Sequence, residues 1–442
     1  MNNLSSKLSE DLYQGYAYGY PHKTAYRPLG TPIPLAPYWQ KEDLSNLFFY
    51  MHIPFCEMRC GFCNLFTTTH PKTDLVSRYL QSLDRQMEVI SDMLDAPHFS
   101  QAAFGGGTPS FLSCQELESL FSSIETHFGG FAPGTPISFE TSPATIAADK
   151  LSLLKSLGIS RLSIGVQSFI ESETKALGRP QKRETLLNAL KLINDANFPV
   201  FNIDLIYGVK GQTVQSWKSS LQTAVSYSPQ ELYLYPLYVR PLTGLGKLER
   251  EPSDMRPTLY QTARDYLLSC GYEQISMRLF RRHDAPVPKD QGAIHCCQED
   301  GMIGFGAGAR SYTKNLHYSS EYAVGRKGIL AILEDFINKT KEDFQHADYG
   351  CLLSEDDRQR RYLIKSILRR DGLHYPSFID EFGVSPEHCF GAELEELITT
   401  GLAEQQSDRL VLKPNAYAYS DLIGPWLISN NISQKMAAYE LT

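Results

Sequence analysis

Over the first half of the chain, short apolar runs alternate with longer stretches of amphipathic period. LFFYMHI at 47–53 is apolar at almost every position, the pattern of a strand covered on both faces. It precedes TDLVSRYLQSLDRQMEVISDML at 73–94, where apolar residues return every three or four positions, as on one face of a helix. The alternation then repeats. QAAF at 101–104 precedes a helix over 114–128, and PISFE at 136–140 precedes one over 145–158 that stops at Gly158, a usual end signal. RLSIGVQ at 161–167 precedes 182–198, VFNIDLIYG at 200–208 precedes 213–227, and ELYLYPL at 231–237 precedes 255–271. Six β-then-α units predict an α/β fold with a parallel sheet, a partial (β/α)6 barrel rather than the closed eight-stranded form. Active sites in such sheets lie at the carboxyl ends of the strands. Chemistry is therefore expected just after each apolar run.

Two flanking segments break the pattern. Residues 1–46 are rich in proline and aromatics, and Tyr13, Tyr16, Tyr18, Tyr20 and Tyr26 recur without helix or strand period. They read as an irregular arm packed over the rest. Residues 47–345 form the barrel domain, its last part, 272–345, being mixed and loop-rich. Residues 346–442 read as an α+β C-terminal domain. Helices at 355–371, 375–382 and 386–400, a hairpin of 402–404 with 410–412 and a final helix at 416–428 follow the order of a winged-helix module. Its helices carry EDDRQRR but also Glu393, Glu395 and Glu396. A lid or substrate-side domain is expected rather than a DNA reader.

Composition narrows the picture. The net charge of −8 over 442 residues argues against a general nucleic-acid binder, which needs excess Lys and Arg to meet phosphates. Met1–Asp11 is polar, so no secretory signal is expected. No stretch approaches the roughly 18 uninterrupted apolar residues of a membrane span. A cytoplasmic location is the expectation. The nine cysteines are odd in number and irregular in spacing, which favours metal or reactive thiols over a disulfide framework.

Three of those cysteines cluster. YMHIPFCEMRCGFCN places Cys56, Cys60 and Cys63 at C-x3-C-x2-C spacing directly after the first strand. Cubane iron–sulfur clusters usually take four thiolates, so three on one loop leave one iron open, as a catalytic metal requires. The competing reading is a zinc site, but the distant second knuckle of a zinc ribbon is missing. His52 could be a fourth ligand, but two residues of strand separate it from the cysteine loop. Further along, the three glycines of GGGTP at 105–109 permit close backbone approach to a ligand or simply a tight turn. Glu140 ends the third strand, where a carboxylate can pair with an ammonium or stand at a polar rim. Asp204 interrupts an apolar strand, which is costly unless it is paired.

C-x3-C-x2-C after the first strand of a partial barrel resembles the radical S-adenosylmethionine (SAM) superfamily. YMHIPFC further resembles its branch of oxygen-independent coproporphyrinogen III oxidases and related heme chaperones. The resemblance implies a [4Fe–4S] cluster on Cys56, Cys60 and Cys63 whose fourth iron is chelated by SAM. It implies that Tyr50, Gly106, Gly107, Thr108 and Glu140 face SAM, and that Phe62 is a SAM-contacting aromatic. Gln167, Arg179 and Asp204 match residues that contact a second SAM in the oxidases. It also implies a tetrapyrrole or other small-molecule substrate, porphyrin or heme biosynthesis as context, and a reduced flavodoxin- or ferredoxin-type electron donor. In the oxidases, propionates are oxidatively decarboxylated to vinyl groups. The chaperones instead deliver heme, with His52 and His70 as the nearby candidates to touch it. A radical SAM enzyme acting on another small molecule or a peptide is the third reading. Leu65 departs from the oxidase pattern, which has a further cysteine there, and YGVKGQT at 207–213 departs from the usual Leu-Pro. No general acid or base is singled out.

Other features carry weaker readings. Arg278, Arg281, Arg282 and His283 form a basic stretch that could receive propionates, since Arg suits carboxylates, or could be a solvated loop. Cys296 and Cys297 are adjacent and poorly placed to share a metal. GFGAGARSY at 304–312 is glycine-rich but lacks a phosphate-loop Lys-Ser/Thr.

Overall fold

Alternate side chains of the parallel strands face different surroundings, and this decides how the sheet is packed. The computed structural model describes residues 3–8, 11–16, 19–72, 74–286 and 301–441. Its strands are β1 Arg27–Pro34, β2 Leu47–Ile53, β3 Phe55–Cys56, β4 Thr68–Thr69, β5 Phe99–Gly106, β6 Ile137–Thr141, β7 Arg161–Gln167, β8 Val200–Tyr207 and β9 Glu231–Pro236. They continue with β10 Tyr272–Gln274, β11 Leu279–Arg282, β12 Met302–Phe305, β13 Arg310–Tyr312, β14 Leu316–Ser319, β15 His346–Leu352, β16 Leu373–His374, β17 Ala403–Gln405 and β18 Arg409–Leu412. One sheet runs in the order β1-β15-β14-β13-β12-β2-β5-β6-β7-β8-β9-β11-β10.

The six expected strands β2, β5, β6, β7, β8 and β9 are mutually parallel neighbours. β12 adds a seventh parallel strand against β2, and antiparallel strands extend both edges. The loop-rich reading of 272–345 therefore changes, because this segment supplies five strands of three or four residues, too short to show a period. The arm is not wholly irregular either. Its prolines Pro28, Pro32 and Pro34 lie in the edge strand β1, which pairs with β15 across a register shift. Proline is tolerated at a sheet edge because its missing N–H need not serve a neighbour.

One face of the parallel strands is apolar. Phe49, Met51, Phe104, Phe139, Leu162, Ile164, Ile203, Leu205, Leu232 and Leu234 join Tyr79, Leu83, Leu117, Leu190, Trp217 and Leu221 of the covering helices in one core. The alternate residues face inward, and most of these are polar. Arg161 Nε lies 2.8 Å from Glu231 Oε2, and Arg281 lies 3.1 Å from the other oxygen, all three residues being buried. Arg161 also donates to Ser138 Oγ at 3.0 Å.

The second core belongs to the C-terminal segment. Helices Glu355–Ile367, Tyr375–Phe382 and Pro386–Thr399 pack with the antiparallel sheet β16-β18-β17 around Leu363, Phe378, Phe390, Leu397 and Leu410. The arm ties the two cores together. Tyr13 packs in the first, while Tyr20 and Tyr26 are buried in the second, where Tyr20 Oη donates to Asp357 at 2.7 Å. A second tie is ionic. Arg278 Nη2 meets Asp421 Oδ2 at 2.5 Å with both side chains almost wholly buried, and Tyr238 Oη donates to the same oxygen.

The basic stretch is thereby corrected. Arg278 is committed to Asp421, Arg281 to Glu231 and Arg282 to Asp284. These guanidiniums neutralise the protein's own carboxylates and do not form a propionate-receiving loop. Removing one partner of a buried pair leaves an uncompensated charge, at about 3–5 kcal/mol. Asp421→Ala is expected to lower unfolding free energy by about that amount, read from urea unfolding. A loss too small to resolve would contradict a structural role for the pair.

Candidate functional site

The cysteine loop leaves the end of β2 and is closed on itself. β3 pairs with β4 through Phe55 with Thr68 and Cys56 with Thr69, so Cys60 and Cys63 lie on the intervening loop. Gly61 anchors that loop to the barrel. Its N–H donates to Leu177 O at 3.0 Å and its carbonyl accepts from Leu245 N at 2.7 Å. A Cβ at Gly61 would stand 2.8 Å from Leu177 O and 3.2 Å from Gly178 Cα, so only glycine fits. On the other side, Tyr322 Oη donates to Asn64 O at 2.5 Å and Arg59 Nη2 to Val324 O at 2.5 Å. The reading of the sequence missed the Gly61–Gly178 contact, for which Gly61 directly after Cys60 was the available signal.

The three thiols share one half-buried environment. Thr108 Oγ1 donates to Cys56 Sγ at 3.5 Å. Burial pushes the Cys56 thiol up to about 12, with the negative charges of Cys63 and Cys60 adding to it. Burial also raises Cys60, opposed by the nearby Arg179. Among the described residues, no three His, Cys, Asp or Glu side chains converge on a position for a single metal ion.

His52 is corrected as a ligand. Its Nε2 lies 2.9 Å from Phe66 O, which can only accept, so Nε2 carries the proton. Nδ1 is then left to accept from Tyr50 Oη at 3.3 Å. Burial holds the ring neutral, with its pKa lowered to about 4. Gly106, at φ +107°, passes so close that a Cβ would meet the imidazole at 2.6 Å. His52 is thus a packing and hydrogen-bonding residue beneath the glycine run. His70 is exposed on the loop beyond β4.

GGGTP runs beside the cysteines. Gly107 N donates to Ile53 O and Thr108 N to Phe55 O, each at 2.8 Å. A Cβ at Gly107 would stand 2.7 Å from Phe55 O and 3.0 Å from Cys56 Sγ. The bare backbone therefore lies directly against the first thiol. Gly105 faces the Glu140 carboxylate, to which a Cβ would come within 3.1 Å.

The remaining candidates follow at successive strand ends. Gln167, which ends β7, has φ +68°, where β7 and β8 slip register between Gly165 and Gln167. A non-glycine residue held left-handed stores strain that clusters at functional sites. Arg179 Nη2 donates to Gly165 O at 2.8 Å. A Cβ at Gly165 would meet Gln167 Nε2 at 2.8 Å and Arg179 Nη1 at 3.3 Å, so the two side chains meet over this glycine. On β8, Asp204 accepts from Asn202 Nδ2 at 2.8 Å and Ser163 Oγ at 3.2 Å. Its pKa is raised by burial, which those bonds and Arg161 oppose. Tyr50 lies with Phe48, Met302, Tyr312 and Ala103 on the inner face, and Phe62 packs on Leu177, Ile206 and Leu245. Glu140 is enclosed by protein yet opens to solvent at the end of β6. Burial and the like charge of Asp204 push its carboxyl up to about 7. All twelve predicted residues are thus at or near the carboxyl ends of β2, β5, β6, β7 and β8 and on the loops that follow. Tyr233 and Tyr235, stacked at 5.8 Å on β9, are inward neighbours that the reading missed. Cys296 and Cys297 lie outside the described residues.

Comparison with known proteins fits this geometry. The radical SAM superfamily model matches residues 50–224, and the HemN C-terminal domain matches 353–419. Residues 50–224 are thus a radical SAM domain. It is 28% identical to an oxygen-independent coproporphyrinogen III oxidase of Synechocystis over 92% of both chains. It is 25% identical to the heme chaperone HemW of Bacillus subtilis over 82% of this chain and 94% of that one. The fold is that of coproporphyrinogen III oxidase (HemN) from Escherichia coli, with a TM-score of 0.76, 23% identity, and coverage of 94% of this chain and 97% of that one.

Radical SAM proteins use a [4Fe–4S] cluster and SAM, and the residues of this radical SAM chain fit both. Three thiols on one clamped loop leave a cluster iron open. The bare Gly107 backbone lies directly against Cys56, where any side chain would crowd the thiol. Glu140 offers a carboxylate for an ammonium. Its raised pKa also predicts a pH effect on the apo-protein. A carboxyl that binds its proton more tightly when folded favours folding below its unfolded value near 4.5, and that gain is lost as pH rises through about 7. Urea stability is expected to fall over this window more steeply in the wild type than in Glu140→Gln. Equal pH slopes would contradict the assignment.

Proposed function

We propose that this chain is an enzyme that applies radical SAM chemistry to a tetrapyrrole, in the form of oxidative decarboxylation of propionate side chains. The observation that carries the reading is likeness to a coproporphyrinogen III oxidase over 92% of both chains. For the heme-chaperone alternative His52 is not available, being buried with both ring nitrogens engaged, and exposed His70 is the histidine left to touch heme. Leu65, 46% exposed beside the cysteine loop, is the one local departure from the oxidase pattern.

In this reading Cys56, Cys60 and Cys63 hold the cluster, and Thr108 steadies Cys56 through its hydroxyl. Gly106 and Gly107 let SAM approach, and Glu140 accepts its ammonium. Gln167, Arg179 and Asp204 receive hydroxyls or carboxylates further along the strand ends, while Tyr50 and Phe62 supply aromatic walls. The bound cofactors supply a 5′-deoxyadenosyl radical for hydrogen abstraction. The arm and C-terminal segment cover the strand ends and exclude water from that chemistry. A flavodoxin- or ferredoxin-type donor supplies electrons, and the setting is cytoplasmic. Among the described residues no helix is long and apolar enough to cross a membrane.

Anaerobic reconstitution with iron, sulfide, SAM and dithionite is expected to yield 5′-deoxyadenosine, falling to the no-protein background in Cys60→Ala. Undiminished product from that variant would reject the cluster assignment. Coproporphyrinogen III is expected to be consumed in the same assay. SAM cleavage without its consumption, or a stable Soret band with added heme and no turnover, would reject the decarboxylase reading.

A further inference from the structure

The end of β7 is wound into a turn that its own residues do not favour. Ser168 N donates back to Val166 O at 2.9 Å across Gln167, whose φ is +68°. A three-residue turn with a positive φ at its centre is the rare and strained form, and Gln167 is not a glycine that would take it freely. The same place carries a bulge. Gly165 stands opposite Asp204 and Gln167 opposite Leu205, so two residues of β7 advance for one of β8. Bulges re-aim side chains. Here the Gln167 amide and the Arg179 guanidinium both come to lie over Gly165.

The turn is held by the segment 173–181. Gln181 Nε2 donates to Val166 O at 3.1 Å and to Ser168 O at 3.2 Å, the carbonyls on either side of Gln167. Both partners only accept, so the amide must turn its NH2 group to them. Its Oε1 is buried and has no hydrogen-bond partner among the described residues. A buried acceptor left unpaired is unfavourable, so the side chain is placed there for its two donors. Arg179 Nη2 takes the preceding carbonyl, Gly165 O, at 2.8 Å. Buried Glu173 accepts from Ser168 Oγ at 2.6 Å, and that hydroxyl accepts from Ile170 N at 3.0 Å. Between these residues lie Leu177 and Gly178, whose carbonyls accept from Gly61 N beside Cys60. One segment thus fixes the Gln167 turn, Arg179 and the cysteine loop to one another.

We infer that Gln181 is a positioning residue: its two donors keep Gln167 in the left-handed turn and so set the Gln167 and Arg179 side chains for the hydroxyls or carboxylate of a bound ligand. The inference rests on the reading above that Gln167 and Arg179 receive such groups, taken here as those of SAM, and adds the residue that makes their arrangement possible. Without the clamp, Gln167 relaxes toward a negative φ and its amide leaves Gly165. A site held to close tolerance needs such support behind the side chains that touch the ligand.

The test measures equilibrium binding of SAM to the full-length protein with its cluster reconstituted and no reductant present, so that no SAM is cleaved. Gln167→Ala is expected to weaken binding by about three- to tenfold, the size of one net hydrogen bond. Gln181→Met keeps the volume without the donors, and Gln181→Asn withdraws the amide by one methylene. Each is expected to give a loss of the same size as Gln167→Ala. In the Gln167→Ala background, Gln181→Met is expected to add nothing, since it acts through Gln167. Melting temperature and cluster absorbance establish that each variant is folded and loaded. In the unloaded protein, backbone amide exchange over 165–170 is expected to quicken in both Gln181 variants. Wild-type affinity in the folded Gln181 variants, with Gln167→Ala weakened, overturns the inference and leaves the assignment of Gln167 standing. Losses that add in the double variant mark a general structural effect and overturn it as well. Wild-type affinity in Gln167→Ala overturns that assignment and the inference with it.

Discussion

Glu231 accepts from two buried arginines, Arg161 and Arg281, and the inside of the barrel depends on that arrangement. A charge buried without a partner is prohibitive, and a buried pair is tolerated only when its lone pairs and protons are satisfied. Here one carboxylate serves two guanidiniums, from β7 and β11, and Ser138 Oγ accepts a further hydrogen bond from Arg161. Charge is thereby closed off at the starts of β7 and β9. The interior further along is left for side chains that are polar without being mutually consumed. Asp204 and Glu140 keep carboxylates there, and both are pushed toward protonation by burial. An apolar inner face would have filled the barrel and left no site.

The cysteine loop adds a second constraint, that of close backbone approach. Gly61 against Gly178, Gly106 over His52 and Gly107 against Cys56 are contacts that a single methyl group would break. They fix the loop to the segment that carries Arg179 and to the end of β5. The position of the thiols is thus coupled to the candidate residues at the neighbouring strand ends, and precision at the thiols comes from rigid neighbours rather than from the loop itself. The arm and the C-terminal segment complete the enclosure. Tyr20 and Tyr26 are core residues of the C-terminal unit, while Lys23 between them reaches the cysteine loop. One stretch of chain therefore serves the C-terminal core on one side and the cysteine loop on the other.

Much of this was legible along the chain because its causes are local. Alternation of apolar runs and helical stripes located β2, β5, β6, β7, β8 and β9 with their helices, and burial against helices enforces such patterns over a few residues. The cysteine spacing, GGGTP, and Glu140, Gln167 and Asp204 at or near strand ends were readable for the same reason. The short strands β10 to β14 were not, since three or four residues carry no period. Nor was β1, whose prolines speak against a strand except at an edge. Left-handed Gln167 has no local marker at all, because a non-glycine residue is held there only by its surroundings.

The sequence by itself determined the class of fold, the open cluster motif and the strand ends at which the site is built. Tertiary structure decided what each charged or polar side chain is free to do. Arg278 looks like a surface donor until Asp421, 143 residues away, is found against it. Arg281 is likewise taken by Glu231, 50 residues away, and His52 by Phe66 and Tyr50. Lys23, in an arm that has no readable period, meets Asn64 and Tyr322 only in the folded chain. The physical reason is that motif spacing is set by neighbours in sequence. Charge, burial and protonation are set by whatever the fold brings near, and Coulombic and desolvation energies take no account of distance along the chain.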